Sequence, residues 1–539
     1  MSPEVKKEAA APAGLARSVG LVSALTMASR VLGLVREQVF AALLGDGHMA
    51  DAFQIAFRIP NLLRDLFAEG ALSAAFVPTY ARTLLQGSRE EAFRLARRLF
   101  TLLGVVLLVI VALGIVGAGL LVVALAPGFA AIPGKVEATI LLTRVMMPFL
   151  PLVSFAALAM GMLNAEEKFG FPAFSPAMFN VATVIWGLLL VACSVPAEHV
   201  ALGWAVGTLL GGAAQFLIQV PPLRKMGFRY RPEWAPSDPA IRQIGRLMGP
   251  ATVGLAAVQI NIFVNSYFAS YQPGAVSWLT YAFRILYLPI GIFGVAAGTV
   301  ATSGLSRQAA TGDMEGVRST LRQSLSMLAF LTLPATAGLL VLAQPIVRLL
   351  YERGKFGPAT TEGTAAALVC YAIGLSAYTG VKVLAPAFYA LGSPRVPLLA
   401  SGLAVGTNLL VNVALFRPFG FRAVALGTAL GSIVNALFLA TAFERRVGGL
   451  RGLGIFGRWA RMALAATAMA PVVWLLARAL ASWFGARGLA AQAITGLVPV
   501  VVGIGVYGLL SWALRVPEAA TLVGVLRRRL KPREARPQE

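Results

Sequence analysis

The chain has 539 residues, of which 58% are hydrophobic and 13% charged, with a mean hydropathy of +0.76. Soluble domains carry about 25% charged residues, so this composition excludes a water-soluble globular protein and puts the chain in a bilayer. The net charge of +23 then reads by position as an orientation signal and not as a nucleic-acid surface, while two cysteines and two histidines offer no disulfide framework, metal cluster, cofactor site or histidine-based enzyme centre.

Taken in order, Met1 to Arg17 is polar and basic, and the apolar stretch after it has no small-residue cleavage site, so it reads as a retained first helix. A spanning helix needs about 20 mainly apolar residues. Fourteen segments qualify: 17–45, 50–82, 92–126, 136–164, 172–194, 198–222, 240–270, 273–305, 318–350, 361–391, 395–416, 421–444, 456–483 and 489–514. Odd-numbered connections such as Gly45-Asp46-Gly47-His48, Val195-Pro196-Ala197-Glu198 and Tyr271-Gln272-Pro273-Gly274 are poor in basic residues. Even-numbered connections carry Arg94, Arg97 and Arg98, then Arg224, Lys225, Arg229 and Arg231, then Arg318 and Arg322, then Arg445, Arg446 and Arg451; the tail carries Arg527, Arg528, Arg529 and Lys531. This asymmetry puts both termini in the cytoplasm. The basic stretch Arg224 to Arg246 suits anionic headgroups and is equally well explained as orientation signal alone.

A weak internal repeat sets Ala56-Phe57-Arg58-Ile59 on Ala282-Phe283-Arg284-Ile285, with Leu66-Phe67 on Ile292-Phe293, an offset of 226 residues or six helices. An even offset keeps orientation, so the halves are parallel repeats. The expected fold is an all-α polytopic membrane protein with two six-helix lobes around a central cavity plus two C-terminal helices. Its expected parts are an N-terminal tail (1–16), an N-lobe (17–222), a linker (223–239), a C-lobe (240–444), helices thirteen and fourteen (445–514) and a basic tail (515–539).

The chemistry lies in two arginine stretches, Arg30-Val31-Leu32-Gly33-Leu34-Val35-Arg36-Glu37 and Arg58-Ile59-Pro60-Asn61-Leu62-Leu63-Arg64-Asp65. An arginine at membrane depth costs ~2.5–3.5 kcal/mol on insertion scales, so a chain that keeps four is expected to use them on an anion. At 1.5 Å per residue, Arg36 lies ~15 Å and Arg30 ~24 Å in from Asp46, and Arg58 ~10 Å and Arg64 ~20 Å in from Asp51. Arg30 and Arg64 therefore share a depth on antiparallel neighbours. Pro60 should kink the second helix, and Asp65 and Glu69 add two carboxylates. Helix eight offers Arg284, with Ser277 seven residues earlier, and Pro289, Gly291, Gly294 and Gly298 make it bendable. Gln259, Asn261 and Asn265 suit a polar lumen or helix–helix contacts. Arg144 and Lys382 add further positive charge. Arginine is suited to bidentate phosphate recognition. The plainer alternative pairs Arg30 with Glu37 and Arg64 with Glu69 as structural ion pairs.

Ser29-Arg30-Val31-Leu32-Gly33-Leu34-Val35-Arg36, Asp51-Ala52-Phe53, Pro60-Asn61-Leu62-Leu63-Arg64 and Phe67-Ala68-Glu69-Gly70-Ala71-Leu72-Ser73-Ala74-Ala75-Phe76-Val77-Pro78 resemble the MurJ (MviN) family of lipid II flippases, as do Leu125-Ala126-Pro127-Gly128-Phe129, Gly354-Lys355-Phe356 and Lys382-Val383-Leu384-Ala385-Pro386. The resemblance covers essentially the whole chain. It implies a member of the multidrug/oligosaccharidyl-lipid/polysaccharide exporter superfamily in the bacterial inner membrane, with a cationic cavity and a C-terminal groove for a lipid tail. Such a protein would flip the undecaprenyl-pyrophosphate-linked peptidoglycan precursor by alternating access. It implies dependence on Arg30, Arg36, Arg64, Arg284 and Asp51. Together with the residue reading, the expected substrate-binding set is Arg30, Arg36, Arg64, Arg284, Asp51, Ser277, Glu69 and Lys382. Expected partners are lipid II and membrane lipids, with a coupling ion driven by the membrane potential left open and no nucleic acid. The chain departs from some relatives at Phe283 and Tyr287, where they carry acids, and has Glu37 for their aspartate. Flipping of another lipid-linked oligosaccharide and drug export are the alternatives.

Overall fold

In a computed structural model the chain is described over residues 3–65, 71–449, 455–485 and 488–521. These residues form helices and no strand. The helices are α1 (Pro3–Leu44), α2 (His48–Arg64), α3 (Ala71–Gln86), α4 (Arg89–Val116), α5 (Ala118–Leu125), α6 (Lys135–Met146), α7 (Phe149–Ala165), α8 (Gly170–Ala192), α9 (Val200–Leu217), α10 (Val220–Lys225) and α11 (Pro239–Ala269). There follow α12 (Ala275–Pro289), α13 (Ala296–Ala310), α14 (Met314–Tyr351), α15 (Pro358–Ala372), α16 (Leu375–Ala390), α17 (Arg395–Phe419), α18 (Phe421–Arg446), α19 (Ile455–Phe484) and α20 (Leu489–Ala513). By length and composition ten helices are able to cross a membrane, or eleven when α15 and α16, bent by 46° at their junction, count as one span. The predicted first, second and seventh spans fall on α1, on α2 with α3, and on α11.

Local chemistry explains where the helices start and break. Ser88 caps α4 in a reciprocal capping box with Glu91, which satisfies two otherwise orphaned N–H groups. Asp238 caps α11 by accepting from Ala240 and Ile241, with Pro239 in the first turn, where its missing N–H costs nothing. The eighth predicted span is interrupted: α12 ends at Pro289, a π-helical turn runs Ile290–Val295, and α13 follows. Proline removes a ladder hydrogen bond, and such a bulge is a recognised cause of a helix break. The expectation of a deformable eighth helix thus meets an irregular backbone at those residues.

The chain divides into two compact units, residues 1–277 with 353–357, and residues 278–352 with 358–539. In the first, a core of Phe76, Tyr80, Phe93, Phe100, Leu150, Leu158 and Phe228 joins α3, α4 and α7. The helix predicted as the seventh, α11, packs along α3 within this unit. In the second, Leu305, Leu321, Phe388 and Phe443 form one core, and Phe330, Met462, Met469 and Tyr507 fasten α19 and α20 to α14. Large apolar side chains such as Leu108, Val116, Val501 and Trp512 stand exposed, as expected of surfaces solvated by lipid.

Small residues set the α8–α9 contact. Gly203, Gly207 and Gly211 recur every four residues on α9 against Leu190, Trp186 and Phe179 of α8, the spacing that lets two membrane helices approach closely. A Cβ on Gly207 would lie 2.4 Å from the Trp186 ring. Overpacking of this kind costs about 1–3 kcal/mol. Gly207→Ala is therefore expected to lower the thermal midpoint of the detergent-purified protein, and an unchanged midpoint would show the contact to be loose.

Candidate functional site

The first arginine stretch lies on α1, which packs along α8. Asn180 of α8 donates its side-chain amide to the Ser29 carbonyl at 3.1 Å and rests against Gly33, so α1 is held at the level of half-buried Arg30. One and a half turns on, the Arg36 guanidinium lies 5.1 Å from the centre of the Phe179 ring, a favourable cation–π distance. Its Nη2 also donates to Glu37 Oε2 at 3.2 Å. The alternative of an Arg30–Glu37 pair gives way to this contact between sequence neighbours.

The second stretch lies on α2. Arg58 donates to the Ser266 hydroxyl of α11. Arg64 donates through Nε and Nη2 to Asp65 Oδ1 at 3.2 and 2.9 Å, and Asp65 Oδ2 accepts from Gln259 of α11 at 3.3 Å. Asn261 and Asn265, also on α11, hydrogen-bond each other at 3.2 Å. The α11 amides therefore serve a polar row shared with α2. Arg64 and Asp65 retain 28% and 35% side-chain exposure. Glu69 lies outside the described residues.

Asp51 is different. It is fully buried, and its carboxylate meets four donors. Oδ1 accepts from the Ser277 hydroxyl at 2.7 Å and its N–H at 3.0 Å; Oδ2 accepts from Lys135 Nζ at 2.8 Å and the Gly274 N–H at 2.9 Å. Lys135 is also fully buried, with Nζ 4.0 Å from the centre of the Phe129 ring. Beside it, the Gly128 N–H donates to Ser270 Oγ at 3.0 Å, and a Cβ on Gly128 would lie 2.5 Å from Tyr271 backbone. The α5–α6 connection and the α11–α12 turn thus close around Asp51. In this structure Asp51 and Ser277, both expected in the substrate-binding set, are occupied by each other, and both are buried. Lys135 was missed because a single lysine in a connection poor in basic residues reads as solvated; only the buried acid opposite reveals it.

In the second unit Arg284 on α12 and Lys382 on α16 are exposed. Phe283 meets the Tyr371 ring edge-on at 5.3 Å. Tyr287 is half exposed. Arg144 donates to the Ile115 carbonyl at 3.2 Å, a helix-joining role. Among the described residues no three His, Cys, Asp or Glu side chains gather as metal ligands.

This multi-pass helical fold has counterparts among solved membrane transporters. An inward-facing multidrug-resistance MATE transporter of the MOP superfamily superposes with a TM-score of 0.67 at 18% identity, over 78% of this chain and 95% of that one. Lipid II flippase MurJ in an inward closed conformation superposes with a TM-score of 0.74 at 25% identity, over 91% of this chain and 98% of that one. The family profile described as lipid II flippase MurJ matches residues 40–490. A probable lipid II flippase MurJ of Vibrio cholerae is 34% identical over 510 residues, 92% of this chain and 95% of its own. The lipid II flippase MurJ of Burkholderia cenocepacia is 35% identical over 438 residues, 80% of this chain and 84% of its own. The chain belongs to the lipid II flippase MurJ family, whose members are transporters and not enzymes.

Removing one partner of a buried ion pair strands the other charge and costs about 3–5 kcal/mol. Lys135→Met is therefore expected to destabilise the protein by that order, while Lys382→Met, at an exposed site, leaves the midpoint nearly unchanged. Thermal melts of the two purified variants give the comparison; equal midpoints would remove the structural role assigned to Lys135.

Proposed function

We propose that this chain flips lipid II, the polyprenyl-pyrophosphate-linked peptidoglycan precursor, from the inner to the outer leaflet of the bacterial cytoplasmic membrane. The observation that carries the reading is the family match across residues 40–490. The physical task is to move an anionic, sugar-bearing headgroup through hydrocarbon while its polyprenyl tail stays in lipid. Arg30, Arg36, Arg64 and Arg284 are the proposed anion clamp, with Lys382 adding positive charge. Guanidinium groups present parallel N–H donors to a pyrophosphate and replace its hydration. Support for Arg64 is its partial exposure beside Asp65.

In this reading two lobes, 17–222 and 240–444, alternate in access, and the segment 445–514 accommodates the tail. Pro60 and the Pro289–Val295 break are the places where the backbone yields, and half-broken helices are the usual hinge of such transporters. Both termini lie in the cytoplasm, so the basic connections face the negative interior. The membrane potential acts on net charge moved, at ~2.3 kcal/mol per charge per 100 mV, and is the proposed energy source, directly or through an ion.

The test is twofold. Expression of this chain is expected to sustain wall synthesis in cells depleted of their resident flippase. In vesicles, Arg64→Ala is expected to slow lipid II flipping roughly 10- to 100-fold, the equivalent of losing a charged hydrogen bond of about 1.5–3 kcal/mol, with Arg64→Lys only partly active. Undiminished flipping by a well-folded Arg64→Ala protein would remove Arg64 from the clamp; selective flipping of another lipid-linked oligosaccharide would change the substrate.

A further inference from the structure

The segment joining α10 to α11 is a folded strap laid across α4. Phe228 is buried between Phe93 and Phe100, at ring separations of 5.6 and 6.0 Å. Thr101 Oγ1 of α4 accepts from the Glu233 N–H at 3.1 Å and lies 3.2 Å from the Tyr230 hydroxyl. Both acids of the strap turn inward. Glu233 accepts from Arg97 and Arg98, each at 3.1 Å, and Asp238 accepts from Arg98 while capping α11. Arg97 is held on its other side by Glu90, to which it donates at 2.6 Å.

What remains outward is basic and aromatic. Arg224, Lys225, Arg229 and Arg231 are exposed, together with Tyr230 at 53% and Trp234 at 61%. The level of the strap is set by α4 itself. Residues 89–98 include six charged side chains, and Leu99 to Val116 include none. The strap crosses at Thr101, where the helix enters its apolar run, and lipid-facing Val105, Leu108 and Val109 follow directly. Tyrosine and tryptophan favour this membrane–water boundary, and lysine and arginine there attract anionic headgroups. A neighbouring cleft of about 200 Å³ is lined by Arg94 and Arg98 but also by Glu91 and Asp238, so its charge is balanced and it does not select an anion.

We propose that the outer face of this strap is a binding site for anionic phospholipid headgroups, separate from the transport clamp: Arg224, Lys225, Arg229 and Arg231 contact the phosphate, and Tyr230 and Trp234 rest at the glycerol level. The site does not depend on which lipid-linked molecule is carried.

The test uses the full-length protein in detergent, offered equimolar phosphatidylglycerol and phosphatidylcholine, with retained lipid read by native mass spectrometry. The wild type is expected to retain phosphatidylglycerol preferentially. Replacing the four cations with Gln should abolish that preference, at about fivefold for each cation removed. Arg64→Ala should leave it intact, and inorganic phosphate at the same concentration should not displace the lipid. If the fourfold variant does not purify as a monodisperse protein, Arg229→Gln with Arg231→Gln takes its place, with a loss of about 25-fold expected. Wild-type-like retention by the strap variant, loss of preference in Arg64→Ala, or displacement by free phosphate would each overturn the assignment.

Discussion

A charge buried among membrane helices must be met by a partner, because no water is there to solvate it. Asp51 shows how far this constraint reaches. Its carboxylate, fully enclosed, draws Lys135, Gly274 and Ser277 to one point. Those residues come from two places in the chain distant from Asp51 itself, so meeting the needs of one acid fixes α2, the start of α6 and the turn into α12 together. The Phe129 ring and the close approach of Gly128 to Tyr271 complete the enclosure. A charge satisfied this completely holds the elements around it together.

The arginines follow the same rule with a different outcome. Arg36 is shared between Glu37 and the face of Phe179, and Arg64 between Asp65 and its surroundings. Each has a carboxylate neighbour, yet Arg64 and Asp65 keep about a third of their side-chain surface open. Asp65 Oδ1 accepts from both Nε and Nη2 of Arg64. The contrast with Asp51 separates charge that is fully enclosed from charge that keeps part of its surface exposed. It also accounts for the polar residues of α11: Gln259 and Ser266 engage partners on α2 and keep that helix from facing hydrocarbon with bare charges.

The strap across α4 applies the rule at the membrane boundary. Its acids face inward, where Arg97 and Arg98 need counter-charges as α4 leaves water, and its bases face outward. A connection that reads as a plain orientation signal is an ordered element, with Phe228 as its anchor.

Much of this was legible in the residues alone. Spanning helices, the arginines within them and the weakness of the eighth helix around Pro289 all follow from local properties: apolar run length, 1.5 Å rise and the missing proline N–H. Family membership was likewise carried by short contiguous motifs such as Phe67 to Pro78. Spacing along one helix, however, offered Arg30 as an alternative partner for Glu37 and set Ser277 on the face of Arg284, where the structure gives Arg36 and Asp51 as the partners. Partners that lie far apart in the chain left no such trace. Lys135 reaches Asp51 across 84 positions and Ser277 across 226, and no periodicity links them. Which loop closes over which buried carboxylate is decided by packing of the whole unit. The sequence by itself therefore determined the helices and the charges they carry, and only the tertiary structure decided which of those charges are enclosed and which stay open.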